Sequence, residues 1–270
     1  MNAPQKISLP DIQSQRDERE LVIDAVGIRG VRYPVTVEDG MACVPTVATF
    51  ALSVELPAEA KGTHMSRFVE VLEARHEHLD AAGFRELALA MTRRLGAARG
   101  IVEMRFPWFY RKVAPVSGVA SLLDCTATWR ASVAGARCRF EVGVVVPATS
   151  LCPCSKEISA YGAHNQRSHI AIEADLAGDV TIPELVSLAE RSASCEVYGL
   201  LKRVDEKHVT ERAYDNPKFV EDLVRDVATA LRLDRRILGF AVEAENFESI
   251  HNHSAVARLS WPPRPEAEAP

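Results

Sequence analysis

Residues 140–146 read FEVGVVV, so that the side chains at positions 140, 142, 144 and 146 are all large and apolar. An apolar residue at every second position is typical of a strand with one buried face. The same alternation recurs at several other places along the chain. It is found at 50–56, 102–106, 125–133, 170–174 and 238–244. These segments predict antiparallel strands.

Apolar residues between these strands recur with helical spacing. Residues 65–79 and 84–95 each present one apolar face. Thr181 and Glu184 have the spacing of a capping box. Asn216 and Pro217 are predicted to cap and begin a further helix that extends to residue 231.

The elements predict an α+β fold with two tandem modules of the ββααββ kind, each with an antiparallel sheet and its helices on one face. The first module covers residues 30–133, and the second covers 134–261. Residues 1–29 are predicted to form a polar arm, and the proline-rich end at 262–270 is predicted to be disordered.

The composition is that of an ordinary globular protein. The chain has 270 residues, 47% of them hydrophobic, and a net charge of -5. An acidic chain is a poor candidate for binding nucleic acid or an anionic membrane. No apolar run is long enough to span a bilayer, and the polar N-terminus has no apolar signal region. We therefore expect a cytoplasmic protein whose six cysteines are thiols.

The segment TSLCPCSKEISAYGAHNQRSH, residues 149–169, interrupts the second module. It is longer than a hairpin requires, and long loops are more often functional. Cys152 and His164 are of the types that bind zinc and similar ions. The alternative interpretation is that Cys152 and Cys154 are buried thiols and that His164 is a surface residue.

Residues 202–211, KRVDEKHVTE, form a charged cluster. Glu206 is a candidate third ligand, which would leave a coordination position open for water, as in catalytic rather than structural sites. The alternative interpretation is a solvated charged turn.

Residues 248–253, ESIHNH, contain a second candidate group. In a strand, His251 and His253 would share an inward face. Imidazole titrates near neutral pH, so this pair is suited to proton transfer. The alternative is a pair of half-buried histidines with satisfied hydrogen bonds.

Residues 61–67, KGTHMSR, precede a predicted helix. A cation, a hydroxyl and a glycine at a helix start can hold phosphate oxygens. The simpler interpretation is a capped helix with a basic first turn.

Together these motifs resemble the prokaryotic type IB GTP cyclohydrolase I family. The resemblance extends from about Val31 to Trp261 and is carried by four stretches, LCPCSKEIS-YGAHNQRSH, THMSRF, DEKHVTE-AYDNPKFVED and ESIHNH. It implies the tunnelling fold, a homotetramer with active sites between subunits, and one zinc, manganese or iron ion per site. It also implies conversion of GTP to formate and 7,8-dihydroneopterin triphosphate, the first step towards folate-type pterins.

The resemblance also implies residue roles. Cys152, His164 and Glu206 match metal ligands, and Cys152 counts among the catalytic residues. Glu221 matches the residue that anchors guanine. The role of Cys154 stays open. The remaining matches are catalytic-pocket positions, Glu248, His251 and His253, and a region that meets the triphosphate, His64, Ser66 and Arg67.

The chemistry of the reaction agrees with these roles. A bound divalent ion lowers the pKa of its water to about 7 and so provides a nucleophile for C8 of the purine. Guanine offers adjacent N1–H and N2–H₂ donors, which a carboxylate such as Glu221 accepts together and adenine lacks. His251 or His253 is suited to protonate N7 and later N9. The sequence has no P-loop.

Two alternatives remain open at this point. The first is another tunnelling-fold enzyme that acts on a pterin or deazapurine, for example a nitrile reductase with a cysteine nucleophile and NADPH. The second is a non-catalytic protein whose Cys–His–Glu site stiffens a loop or stores metal.

Overall fold

The structure is a computed structural model, and it describes residues 11–40, 42–75 and 77–262. In the first half, two long strands are followed by two helices and two further strands. A two-residue strand lies between the helices. The elements are β1 (Ile23–Asp39), β2 (Ala42–Leu56), α1 (Met65–Glu73), β3 (His78–Leu79), α2 (Ala81–Leu95), β4 (Arg99–Val113) and β5 (Ala120–Ala134).

The second half repeats the alternation of strands and helices but adds two further helices and another short strand. Its elements are β6 (Arg137–Leu151), α3 (Pro153–Ile158), β7 (Asn165–Leu176), α4 (Ile182–Ser192), β8 (Cys195–Glu196), α5 (Arg203–Asp215), α6 (Val220–Arg232), β9 (Ile237–Asn246) and β10 (Ala255–Trp261).

The ten strands of the described residues belong to one sheet. Its order is β10-β9-β7-β6-β5-β4-β2-β1-β3, with β8 paired to β6. The pairings between long strands are antiparallel, and the short pairing of β1 with β3 is parallel. The predicted α+β class with an antiparallel sheet is therefore confirmed. Because β5 pairs with β6, one continuous sheet joins the two halves, and their division into two modules stays a prediction.

The predicted alternation at 140–146 forms part of the core. Phe140, Val142, Val144 and Val146 are all at least 97% buried. Trp129 contacts the ring of Phe140 edge to face with centroids 5.6 Å apart. Fully burying such side chains stabilises the fold by about 1.5–3 kcal/mol each, so this face fixes which side of the sheet the helices cover.

Three apolar positions differ from the prediction. Met65, the first residue of α1, is 39% exposed. Leu79 was expected on the same helix face as Phe68 and Leu72, but α1 ends at Glu73 and Leu79 lies in β3, where it is buried in the same core. Leu238 is 60% exposed because it lies near the start of β9.

The predicted start of the last long helix was wrong. Asn216 is the C-cap of α5, and its side-chain amide donates to the carbonyl oxygens of Ala193 and Ser194. The following helix, α6, begins only at Val220. An Asn–Pro pair has the same local sequence whether it ends one helix or begins the next. Hydrogen bonds to distant residues therefore determine which of the two structures forms.

The N-terminal arm is also shorter than expected, since β1 begins at Ile23 rather than after residue 29. Residues 11–22 contact the segment between β2 and α1. Arg16 forms a β-bridge with Ala60, and the side-chain amide of Gln13 donates a hydrogen bond to the carbonyl of Thr63. Most of the predicted disordered tail, 263–270, lies outside the described residues, as do residues 1–10. Within the described ranges, no helix is sufficiently long and apolar to cross a bilayer.

Candidate active site

The segment that carries Cys152 and His164 is more ordered than a long loop. The strand β6 continues to Leu151 and β7 starts at Asn165, so both strands extend into the predicted loop and only residues 152–164 connect them. Cys152 is the N-cap of the short helix α3, and its Sγ accepts the backbone N–H of Ser155 at 3.4 Å. The thiol therefore lies directly at the end of a core strand.

Backbone hydrogen bonds close this connection on itself. The N–H of Cys152 donates to the carbonyl of His164 at 3.1 Å. The hydroxyl of Ser155 lies 3.1 Å from the carbonyl of Cys152 and accepts the N–H of His164 at 3.2 Å. The structure thus brings two of the three predicted metal ligands next to each other.

The imidazole of His164 has two acceptors on one side. Its Nδ1 lies 2.9 Å from Oε1 of Gln166 and 3.9 Å from a carboxylate oxygen of Glu248. The side chains of His164 and Glu248 are about 15% exposed, so both are partly shielded from water. Glu248 was predicted to belong to the pocket, whereas Gln166 was missed, although it stands inside the HNQRSH motif at the period-two position after His164.

Glu221 is the second residue of α6, and the start of this helix lies next to the end of β6. The backbone N–H of Lys218 donates to the carbonyl of Leu151 at 3.0 Å, immediately before Cys152. Glu221 lies in the first turn of α6 and is exposed. The guanine-binding candidate is therefore on a segment tied to the Cys152 strand end.

Glu206 lies on α5, which is a helix and not the solvated charged turn of the alternative interpretation. Its side chain is exposed, and it has the helical spacing that places it on the same face as Val209 and Ala213. That face packs against Leu151 and Ala163, beside the Cys152 connection.

Within the described part of the chain, no three side chains of the types Cys, His, Asp or Glu come together closely enough to hold one ion. The structure brings Cys152 and His164 together and places the helix of Glu206 beside them, but it does not join all three. The metal site therefore stays a prediction.

Asp205 fixes the start of α5 to the β4–β5 turn, a role that sequence reasoning missed. One carboxylate oxygen accepts the N–H groups of Val116 (2.9 Å) and Ser117 (2.8 Å), and the other lies 2.6 Å from the Ser117 hydroxyl and accepts the N–H of Lys202. Burial raises the pKa of Asp205, but these hydrogen bonds outweigh it and hold the pKa well below the usual range.

His251 and His253 are not in a strand as predicted, because β10 begins at Ala255. Both lie in the loop between β9 and β10 and are exposed. Their rings stack with centroids 4.9 Å apart and an interplanar angle of 12°. The same loop carries Glu248, whose carboxylate lies 3.9 Å from His164. The histidine pair is therefore on a loop that reaches the His164 site.

The predicted cluster at residues 61–67 lies at the start of α1. His64 is the N-cap, and Ser66 and Arg67 are in the first turn. His64 and Arg67 line a cavity of about 700 Å³ that is also lined by Arg16 of the N-terminal arm. The Nε2 of His64 lies 3.2 Å from a carboxylate oxygen of Asp11.

The two candidate regions lie at opposite ends of β4. Residues 95–97, immediately before the strand, line the cavity of Arg67, whereas Val116 and Ser117, just after it, contact Asp205 of α5. The 15 residues of β4 span roughly 45–50 Å at about 3.3 Å per residue. One chain therefore does not bring residues 64–67 to the Cys152 connection.

The fold of this chain is similar to that of the urate oxidases. The crystal structure of uricase from Arthrobacter globiformis is similar over 96% of this chain and 99% of that one, with a TM-score of 0.52 and 9% identity. At this identity the likeness concerns the fold alone.

Sequence comparison identifies the family. Residues 9–257 match the family model described as type I GTP cyclohydrolase folE2. The GTP cyclohydrolase FolE2 of Cupriavidus pinatubonensis is 55% identical over 97% of both chains. GTP cyclohydrolase FolE2 1 of Dechloromonas aromatica is 57% identical over 96% of this chain and 98% of its own length. The chain belongs to the type I GTP cyclohydrolase folE2 family.

Proposed function

We propose that this protein is a GTP cyclohydrolase I, which opens the imidazole ring of GTP, releases C8 as formate and forms 7,8-dihydroneopterin triphosphate for folate-type pterin synthesis. The observation that carries the proposal is the pairing of Cys152 and His164 at the end of β6 in a chain that matches this family almost throughout.

The residues at this strand end suit a divalent cation. Gln166 occupies Nδ1 of His164 and leaves Nε2 for coordination, and the thiol of Cys152 is only partly buried. Glu206 would complete a sulfur, nitrogen and oxygen donor set suited to zinc, with manganese or iron as the other candidates. One such cation per site, when bound, would lower the pKa of a water molecule enough to provide hydroxide at neutral pH.

Glu221 would select guanine. Its exposed carboxylate, on the first turn of α6, can accept the N1–H and N2–H₂ donors of the base as a pair. Adenine presents an acceptor at N1 and has no amino group at C2, so the same carboxylate would be left unpaired against it. The connection of Lys218 to Leu151 supports this role, because it holds the start of α6 next to Cys152.

The protons would pass through Glu248, His251 and His253. Ring opening needs a proton at N7, and departure of N9 needs another. Glu248 is 3.9 Å from Nδ1 of His164, and its loop carries both histidines. The short distance between Glu248 and His164 supports a role for this loop in proton transfer.

We also infer that each active site uses two chains of a homotetramer with the tunnelling fold. His64, Ser66 and Arg67 are the candidates for the triphosphate, yet they lie at the far end of β4 from Cys152. The strand between them is itself roughly 45–50 Å long, much longer than a nucleotide, so a second chain would have to supply them.

The direct test is to load the purified protein with Zn²⁺ or Mn²⁺, add GTP, and measure formate together with neopterin fluorescence after oxidation. Equal amounts of formate and the pterin are expected. In a parallel assay with NADPH and a deazapurine nitrile in place of GTP, consumption of NADPH would instead favour a nitrile reductase. Metal binding without a product in either assay would favour a storage site.

A further inference from the structure

A row of buried polar side chains runs from His164 across three strands. Gln166 and Ser168 lie on β7, Ser150 lies on β6 and Asn246 ends β9. All four are at least 93% buried. Buried polar groups cost free energy unless they are hydrogen-bonded, so a row of four in a sheet otherwise filled with apolar side chains calls for a function.

The hydrogen bonds of this row have one direction. Ser168 Oγ lies 2.7 Å from Oδ1 of Asn246, which can only accept, so Ser168 donates its single proton there. The hydroxyl oxygens of Ser168 and Ser150 are 2.8 Å apart, so Ser150 must donate to Ser168. Ser150 then has no proton left and accepts one from Nε2 of Gln166 at 3.0 Å.

This direction determines which atom Gln166 presents to His164. With its Nε2 used by Ser150, Gln166 turns Oε1 towards Nδ1 of His164 at 2.9 Å. An amide oxygen can only accept, so Nδ1 carries the proton in the neutral imidazole. The carboxylate of Glu248, 3.9 Å from the same Nδ1, favours the same tautomer.

We infer that the row Gln166–Ser150–Ser168–Asn246 is a positioning device that holds His164 as its Nδ1–H tautomer and keeps the lone pair of Nε2 available for the cation. The inference deepens the proposed function, on which it rests. These four residues touch neither GTP nor the cation. They act through His164. They also connect it to the end of β9, where the loop that carries Glu248 begins and where the N–H of Phe247 donates to the carbonyl of Arg167.

The tautomer can be measured without metal or GTP. The protein is labelled with ¹⁵N in its histidine rings, stripped with a chelator and studied by magic-angle-spinning NMR at about pH 9, where imidazole is neutral. The signal of His164 is assigned by its loss in His164→Gln. Wild type and Gln166→Glu should give the Nδ1–H tautomer, because a carboxylate also accepts, whereas Gln166→Leu and Ser168→Ala should shift the population towards Nε2–H.

Cation affinity gives an independent readout. Co²⁺ is titrated against a competing chelator and followed by its thiolate charge-transfer absorption. Gln166→Leu should weaken binding about 10- to 100-fold, the usual effect of removing a partner of a ligating histidine, and Gln166→Glu should stay near wild type. The matched control is Ser192→Ala, which removes another buried hydroxyl, bonded to the carbonyl of Leu188 outside the row. It should change neither readout.

A wild-type His164 in the Nε2–H form would overturn the inference. The same conclusion follows if Gln166→Leu leaves both the tautomer and the Co²⁺ affinity unchanged, or if Ser192→Ala alters them equally. Failure of the proposed function is distinguishable, because protein with the Nδ1–H tautomer and tight Co²⁺ binding that releases no formate from GTP would refute the activity alone.

Discussion

The carboxylate of Asp39 accepts a hydrogen bond of 2.5 Å from the backbone N–H of Ile182, which joins the β1–β2 turn to the start of α4. The contact connects the first half of the chain to the second across 143 positions. Burial, together with the nearby carboxylate of Glu184, raises the pKa of Asp39 to about 6 despite this hydrogen bond.

This raised pKa predicts a loss of stability with rising pH. The folded state binds a proton more tightly than the unfolded state, whose pKa is near 3.8, so the free energy of unfolding falls between about pH 4 and 6 and stays lower above that range. Two pKa units correspond to about 2–3 kcal/mol. Asp39→Asn, which cannot ionise, should remove this part of the pH dependence. Urea unfolding of both proteins at pH 4 and pH 8 measures it, and parallel losses in the two would contradict the assignment.

A cluster of buried charged side chains connects β4 to α4 and β8. The ammonium group of Lys112 lies 2.5 Å from Glu190 and 3.5 Å from Glu196, and the charged side chains are 10–18% exposed. The phenol of Tyr110 donates to Glu190. This cluster lies on the inward face of the β4–β5 hairpin.

Removing the cation of this cluster should destabilise the fold strongly. Lys112→Met leaves the buried carboxylate of Glu190 without its ammonium partner, whereas Glu196 keeps the guanidinium of Arg212 at 3.4 Å. Leaving a buried charge unpaired typically costs about 3–5 kcal/mol. The double variant Lys112→Met, Glu190→Gln should recover part of that loss because the unpaired charge is gone. Chemical denaturation of the wild type, the single and the double variant gives the comparison. A single variant as stable as wild type would show that the cluster is dispensable.

The period-two pattern predicted the sheet because each strand has one face against the helices, and at 140–146 every predicted inward residue is buried. The pattern failed for His251 and His253, which have strand spacing but precede β10. It also could not distinguish the end of α5 from the start of α6 at Asn216. At Asn216 the hydrogen bonds to Ala193 and Ser194, which are invisible in the local sequence, determine the structure.

The candidate site was predictable where its chemistry is local. Cys152 and His164 stand on one connection, and residue type and family motif both pointed to them. Asp205 and Gln166 were missed because their roles depend on the β4–β5 turn and on Ser150, which only the folded sheet brings close. The distance between Arg67 and Cys152 was equally hidden, since it follows from the strand order.

Cys152→Ala should abolish formate release while the protein still folds and assembles. The thiol lies at the N-cap of α3, but α3 is short and the backbone contacts between Cys152 and His164 do not need the sulfur. Formate release and circular dichroism are measured together. Cys154→Ala, two residues away and exposed, is the control and tests the open role of that thiol. Normal turnover by Cys152→Ala would refute its role as a ligand.

Glu221→Gln should weaken GTP binding by well over tenfold. The substitution sets an amide donor against the N1–H and N2–H₂ donors of guanine, so a favourable pair becomes a clash of donors. Asp222→Asn is a suitable control, since it removes one charge from the same helical turn while its amide oxygen can still accept the N–H of Phe219. Isothermal titration with a non-hydrolysable GTP analogue measures both affinities. Equal affinities for Glu221→Gln and wild type would exclude Glu221 as the guanine anchor.

Mixing two inactive variants tests whether one site uses two chains. Arg67→Ala should disable the triphosphate region, and Cys152→Ala should disable the cation region at the far end of β4. If a site takes residues 64–67 from one chain and Cys152 from another, about a quarter of the sites in randomly mixed tetramers are intact, since each half of a site has an even chance of being wild type. Co-expression with two different affinity tags and tandem purification isolates the mixed assemblies. Formate release near a quarter of the wild-type rate is expected, and activity no greater than that of the parent variants would show that each chain works alone.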